Sequence, residues 1–390
     1  MIPYGRHYID EADVEAVVDM LRHGALTQGP RIAEFEEAVA RYVGAKYAVA
    51  VSSGTAALHL ACLAANVGPG DNVITTPNTF VASANCALYV GATPQFADID
   101  AGTLNLDPQC LAAKCKELKK IRAIVPVHFA GLPCDMPSIR AIADKYGSVV
   151  IEDAAHALGA SYPDGARVGN CAYSHMTVFS FHPVKAIAAG EGGMITTNDE
   201  KLYRRLLRLR SHGINKGDDP LIREEDAYEQ GEAKRWYYEM QEMGFNYRIT
   251  DIQSALALSQ LRKLEKFIER RRKLALTYDD AFADLSKARP TQINGRTFSA
   301  HHLYVLQLDF DGLGLSRTKF MSALRQDGIG TQVHYIPVVS HPYYRGLGYK
   351  LDYFPVTQKY YRQALSIPLY YALMDSEQAH VIAAVRRLVQ

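Results

Sequence analysis

Val178-Phe-Ser-Phe-His-Pro-Val-Lys185, followed five residues later by Gly190-Glu-Gly-Gly193, is the stretch on which the reading of this chain turns. A lysine stands at the end of a β-rich segment and just before a glycine cluster. Solvated lysines sit on polar helix faces, but this one is bracketed by Phe179, Phe181, Pro183, Val184 and Ile187. Burial disfavours the ammonium form and makes the amine usable as a nucleophile. The plainer reading, a lysine whose stem packs while its head reaches water, is equally open on this segment alone.

Working outward, Val149-Val-Ile-Glu-Asp153-Ala-Ala-His156 is an apolar strand that ends in acids. The carboxyl end of a parallel strand is where α/β sheets place ligand groups. A buried carboxylate there needs a cationic or N–H partner, or else it caps the next helix. Ser53-Gly54-Thr55 lies between a strand pattern and a helix pattern. The glycine lets backbone approach a ligand, and the helix start offers free N–H groups to a phosphate. Many such turns carry these residues only as caps. Phe80 could stack on a planar ring or belong to the core. Taken together, a phosphate seat, an acid for a ring nitrogen, a flat face and a buried lysine describe a pyridoxal phosphate site. In that site Lys185 bonds the cofactor and moves protons, and Asp153 keeps the ring nitrogen protonated. His156 meets the ring oxygen, and Ser180 with Gly54 and Thr55 holds the phosphate.

The rest of the chain alternates helix and strand patterns, which predicts an α/β fold. Helices are expected over Asp10–Arg22, Pro30–Val43 and Ala56–Ala65. Strands are expected at Tyr47–Val51, Val73–Thr75, Ala123–Val127 and Val149–Ile151. His212–Lys234 is polar with scattered Gly and Pro and reads as a long exposed loop. Arg248–Phe282 reads as one long connecting helix. A smaller α/β unit follows, with strands near Leu303–Leu308 and Gly330–His334. The expected division is a large cofactor-binding domain at 1–248 with N-terminal helices, a connector at 249–286 and a small C-terminal domain at 287–390.

The 390 residues are 48% hydrophobic and 22% charged, ordinary globular values that exclude disorder and coiled coil. Lys plus Arg number 43 against 42 acids, so no basic excess favours nucleic acid or an anionic membrane. No apolar run is long enough to span a bilayer, and no charged-then-apolar leader opens the chain. The six cysteines form no C-x-x-C pair. The expectation is therefore no metal centre and a reduced, cytoplasmic setting.

The chain resembles the DegT/StrS-type sugar aminotransferases, pyridoxal phosphate enzymes of fold type I. The matching motifs are Leu26-Thr-Gln-Gly-Pro30, Ser53-Gly-Thr-Ala-Ala57, Pro77-Asn-Thr-Phe-Val-Ala-Ser-Ala84, Glu152-Asp-Ala-Ala-His-Ala-Leu-Gly-Ala160, Phe179-Ser-Phe-His-Pro-Val-Lys185, Gly190-Glu-Gly-Gly193, Arg210-Ser-His-Gly213 and Gly244-Phe-Asn-Tyr-Arg248. They run in family order over nearly the full length. The resemblance implies a mostly parallel mixed sheet flanked by helices, plus a smaller C-terminal α/β domain. It also implies Lys185 as the Schiff-base lysine and Asp153 as the pyridine partner. Further, it implies a homodimer whose active site is shared, with Asn246 reaching the phosphate of the other subunit. Tyr4, Leu26, Thr27, Gln28, Arg248, His334 and Tyr335 match positions near the sugar nucleotide.

Within the family the chain looks most like the branch serving pseudaminic acid biosynthesis. The supporting stretches are Val125-Pro-Val-His-Phe-Ala-Gly131, Trp236-Tyr-Tyr-Glu239 and Gln332-Val-His-Tyr-Ile-Pro337. That branch moves an amino group from L-glutamate to C4 of a UDP-linked 4-keto-6-deoxy-N-acetyl sugar. Two other readings are weighed beside it. One is another UDP- or dTDP-linked keto sugar as acceptor. The other is a non-catalytic, pyridoxal phosphate-binding regulatory protein.

Overall fold

The computed structural model describes residues 1–215 and 219–390. A seven-stranded sheet is built from β1 (Tyr47–Val51), β2 (Asn72–Thr75), β3 (Thr93–Phe96), β4 (Ile121–Ile124), β5 (Val149–Asp153), β6 (Met176–Ser180) and β7 (Gly193–Thr197). Its order is β1-β7-β6-β5-β4-β2-β3. Only β7 runs against its neighbours; the other pairings are parallel. The inner strands are almost wholly buried, as apolar runs such as Val149-Val-Ile demand. Helices α1 (Glu11–His23), α2 (Pro30–Val43), α3 (Gly54–Ala64), α4 (Ala82–Tyr89), α5 (Pro108–Glu117), α6 (Met136–Tyr146) and α7 (Glu200–Arg210) accompany the sheet. One apolar cluster, holding Phe35, Ile124, Val150, Phe179 and Phe181, packs one side of the sheet. A second holds Leu58, Val125, Ile151, Val178 and Ile195. The mixed sheet with its helices is the architecture expected from the sequence.

Parallel strands place their carboxyl ends on one edge, and that edge collects the chemistry. Asp153 ends β5, Ser180 ends β6, and Gly54 opens α3 directly after β1. The glycine cluster has a geometric reason. A Cβ on Gly193 would stand 2.4 Å from the Ser53 carbonyl oxygen, so β7 can pass the β1–α3 turn only without a side chain.

The predicted connector resolves into two helices, α8 (Asp251–Leu261) and α9 (Leu264–Phe282). The turn falls at Arg262–Lys263, where the Lys263 ammonium reaches Asp10 and the buried Asp13, both at 2.6 Å. No glycine or proline marks that break, so periodicity runs across it. The polar stretch 212–234 contains a small hairpin, β8 (Tyr228–Glu229) with β9 (Glu232–Ala233); its residues 216–218 lie outside the described residues. In the C-terminal part, β10 (Ala288–Pro290), β11 (Tyr304–Leu308) and β12 (Ala364–Ile367) form an antiparallel sheet. The strand expected at Gly330–His334 is not one. Among the described residues that segment makes one isolated bridge, Gln332 with Ser366, beside the bridge of the preceding Ile329 with Ile2.

Candidate active site

A cavity of about 370 Å³ lies at the carboxyl edge of the large sheet. Lys185, Asp153, His156, Ser180, Gly54, Thr55, Phe80 and Tyr335 all line it. Eight sequence-predicted residues from five segments thus share one space. Burial lowers the Lys185 amine to about 8, although the Asp153 carboxylate pulls the other way. The lysine is therefore no ordinary surface cation, and a pKa lowered in this way makes an amine usable as a nucleophile.

Asp153 is 5% exposed. Ser83 Oγ donates to its Oδ2 at 2.6 Å, and the Ala155 N–H donates to Oδ1 at 3.1 Å. Because Ser83 gives its proton to the carboxylate, it accepts from Thr79 Oγ1 at 2.7 Å. Ser83 and Thr79 sit inside the Pro77–Ala84 motif, yet nothing in their spacing assigned them a role. Phe80 is 56% exposed, its face open in the cavity rather than in the core. His156 is buried, and burial, with the charges of Lys185 and His334, holds its pKa well below the ordinary value. His334 is pushed down to about 3, first by burial and then by the Lys185 charge. Both imidazoles are neutral at physiological pH.

Ser53 caps α3 by accepting from the Ala56 N–H at 3.1 Å. A Cβ on Gly54 would lie 3.0 Å from Ser180 Cβ and 3.3 Å from its Oγ. The helix start and the serine thus converge on a cradle that a side chain would fill, which suits a phosphate. The residues present fit pyridoxal phosphate: a cradle at an N-terminus, an open aromatic face, a buried acid and a depressed lysine.

Directly behind Asp153, on the other face of β5, Glu152 is fully buried. It accepts from His128 Nε2 at 2.8 Å, from Thr177 Oγ1 at 2.9 Å, and from the hydroxyls of Tyr162 and Ser174. Burial works to raise its pKa, but these donors hold it below the ordinary carboxylate value. The backbone N–H of the same His128 donates to the Asp153 carbonyl at 3.1 Å. Strand alternation places Glu152 opposite Asp153, so its burial was readable, though its donors come from distant segments.

The other predicted residues stand apart from the cavity. Leu26, Thr27 and Gln28 are exposed in the α1–α2 connection, Asn246 is exposed, and Arg248 is half-buried. Tyr4 lies against His334, ring centroids 5.4 Å apart. His334 itself bonds Ser366 Oγ through Nδ1 at 2.8 Å.

Residues 7–386 match the DegT/DnrJ/EryC1/StrS aminotransferase family. This chain belongs to that family. Spore coat polysaccharide biosynthesis protein SpsC of Bacillus subtilis (strain 168) is 41% identical over 392 residues, covering all of this chain and 97% of the relative. Among solved structures, Helicobacter pylori PseC, an aminotransferase involved in the biosynthesis of pseudoaminic acid, matches with a TM-score of 0.89 and 31% identity. That match covers 100% of this chain and 99% of the other. Spr1654 of Streptococcus pneumoniae, described as a sugar aminotransferase, matches in its PMP form with a TM-score of 0.88 and 29% identity, over 100% and 99% of the two chains. Its PLP form is similar as well. The aminotransferase is thus a sugar-modifying enzyme that uses pyridoxal phosphate, and the reading as a non-catalytic regulator gives way. No helix among the described residues is long and apolar enough to cross a membrane.

Proposed function

We propose that this aminotransferase moves the amino group of L-glutamate to C4 of a UDP-linked 4-keto-6-deoxy-N-acetyl-hexose, giving UDP-4-amino-4,6-dideoxy-N-acetyl-β-L-altrosamine for pseudaminic acid. The observation that carries the chemistry is Lys185, lowered to about 8 and sharing a cavity with the buried Asp153. The full-length likeness to PseC supports the substrate. The 41% identity to SpsC favours a second reading, in which the acceptor is another UDP- or dTDP-linked keto sugar.

Pyridoxal phosphate, when bound, supplies an aldehyde carbon and an electron-accepting ring. Ser180 Oγ and the N–H groups at Gly54 and Thr55 would hold its phosphate. The Asp153 carboxylate would accept from the ring N–H and so keep that nitrogen protonated, with Ser83 Oγ holding the carboxylate in place. Phe80 would lie against the ring, and Leu58, Val127 and Val178, which line the same cavity, would exclude water. Lys185 Nζ would hold the cofactor at rest, and its amine would be the base placed to move the proton of the amino-bearing carbon.

Asn246 reaches the phosphate from a second copy of the chain in a homodimer, and Arg248 and Leu26–Gln28 lie near the sugar nucleotide. That places their exposure in a single chain beside the family motif they match. The same reading divides the chain at 1–248, 249–286 and 287–390 and places the enzyme in the cytoplasm, where its six unpaired thiols stay reduced.

The test is incubation with L-glutamate and a panel of 4-keto UDP and dTDP sugars, followed by mass and NMR of the product. Amination of the UDP-N-acetyl sugar at C4 is the expected outcome, and turnover of a dTDP sugar alone would overturn the substrate assignment. Lys185→Ala should lose the visible absorbance band of the cofactor, and a retained band would overturn the site.

A further inference from the structure

His156 follows β5 of the large sheet, and besides Phe129, whose ring centroid lies 6.3 Å away, the residues that grip its ring come from the C-terminal part of the chain. Tyr335 Oη stands 3.0 Å from His156 Nε2, and the two rings lie 21° from parallel with centroids 6.0 Å apart. On the imidazole's other side His302 packs at 4.3 Å, tilted by 38°. The backbone N–H of His302 donates to Ala130 at 2.9 Å, which fixes that wall. His156 Nδ1 is buried without a hydrogen-bond partner among the described residues. The Tyr335 bond is therefore the polar contact that sets the ring's rotation.

Tyr335 is itself well held. Phe129 meets it edge-on at 6.3 Å, and Phe80 lies 6.2 Å away across the cavity. Tyr360 donates to the carbonyl of the preceding residue, His334. Burial, with the Asp153 charge behind it, raises the Tyr335 pKa, so the phenol keeps its proton. A protonated phenol beside a neutral imidazole gives one well-defined hydrogen bond.

We propose that Tyr335 is a positioning residue, reaching from the C-terminal part to fix the orientation of His156 against the cofactor ring. This rests on the reading of the cavity as the cofactor's seat. Beyond contacting substrate, Tyr335 then ties the placement of the C-terminal part to the quality of the cofactor site.

The experiment is a double-mutant cycle on the full-length protein, read as the dissociation constant of pyridoxal phosphate by equilibrium dialysis and as the visible spectrum. Tyr335→Phe keeps the ring and its packing but removes the hydroxyl. It should weaken cofactor binding about fivefold and shift the absorbance band, the loss expected for one neutral hydrogen bond. In a His156→Phe background the same change should do neither. Equal loss in both backgrounds, or no loss in the wild-type background, overturns the proposal, because a merely structural tyrosine would act regardless of residue 156. A wild-type protein that binds no pyridoxal phosphate overturns this inference and the functional reading together; a bound cofactor with additive effects overturns this one alone.

Discussion

In the proposed reaction Lys185 and Asp153 divide the chemistry, and each makes a separable demand. With its amine lowered to about 8, roughly a quarter of Lys185 is unprotonated at pH 7.5, against about one part in a thousand for an ordinary lysine. In the cofactor-free enzyme, the rate of capture of added pyridoxal phosphate should climb as pH rises through about 8 and then level off. Stopped-flow absorbance reads this directly, and a rate still climbing steeply past pH 9 would contradict the buried setting. Asp153→Asn keeps the shape but removes the negative charge. Cofactor should still bind while kcat falls on the order of 100-fold, as for loss of one preorganised charge in a site. An unchanged kcat would mean the carboxylate does not face the ring nitrogen. Both residues were readable because each sits where a parallel strand meets a turn. Ser83 was not, since its bond to Asp153 joins segments 70 positions apart.

At the scale of elements, α2 shows what the sequence could and could not tell. Its span, Pro30–Val43, was legible from the apolar spacing, with Pro30 in its first turn and Gly44 as its stop. Its cap was not legible. Gly29 has no side chain to offer, and the cap comes from Asp251 at the start of α8. The Asp251 carboxylate accepts from the Gly29 N–H at 2.8 Å and the Arg31 N–H at 3.0 Å. A Cβ at Gly29 would meet Asp251 Oδ1 at 2.8 Å, so the glycine makes room for the acid. The Asp251 N–H in turn donates to the Leu26 carbonyl at 3.1 Å, which ties down the Leu26–Gln28 loop. Asp251→Ala removes two charge-assisted hydrogen bonds and should cost about 3 kcal/mol locally. Amide exchange at Gly29 and Arg31 should speed on the order of 100-fold. Unchanged exchange there would mean the long-range cap contributes nothing. At Gly330–His334 the pairing with β12 stops at the single bridge of Gln332 with Ser366, and β-rich residues become a strand only where a partner pairs along their length.

For the whole molecule, the question is what covers the chain's exposed apolar side chains. Ile222, Trp236, Tyr238, Met240 and Met243 are all exposed within one stretch that follows the large sheet. Single exposed apolar residues are ordinary, but five so near one another in sequence mark a surface built for contact. The proposed homodimer supplies the cover, and Asn246, three residues beyond Met243, belongs to the same segment. Trp236 is the chain's one tryptophan and is 70% exposed in a single chain. Its fluorescence therefore reports association without a label. Sedimentation should give twice the 43.2 kDa chain mass, and dilution should shift Trp236 emission to the red as subunits part. Trp236→Glu combined with Met243→Glu places two charges in that contact, where unpaired charge is costly. The variant should sediment as a monomer, keep its fold by circular dichroism, and lose activity because Asn246 no longer reaches a neighbouring site. A wild-type monomer with full turnover would refute the shared site, since the cavity of a single chain would then suffice.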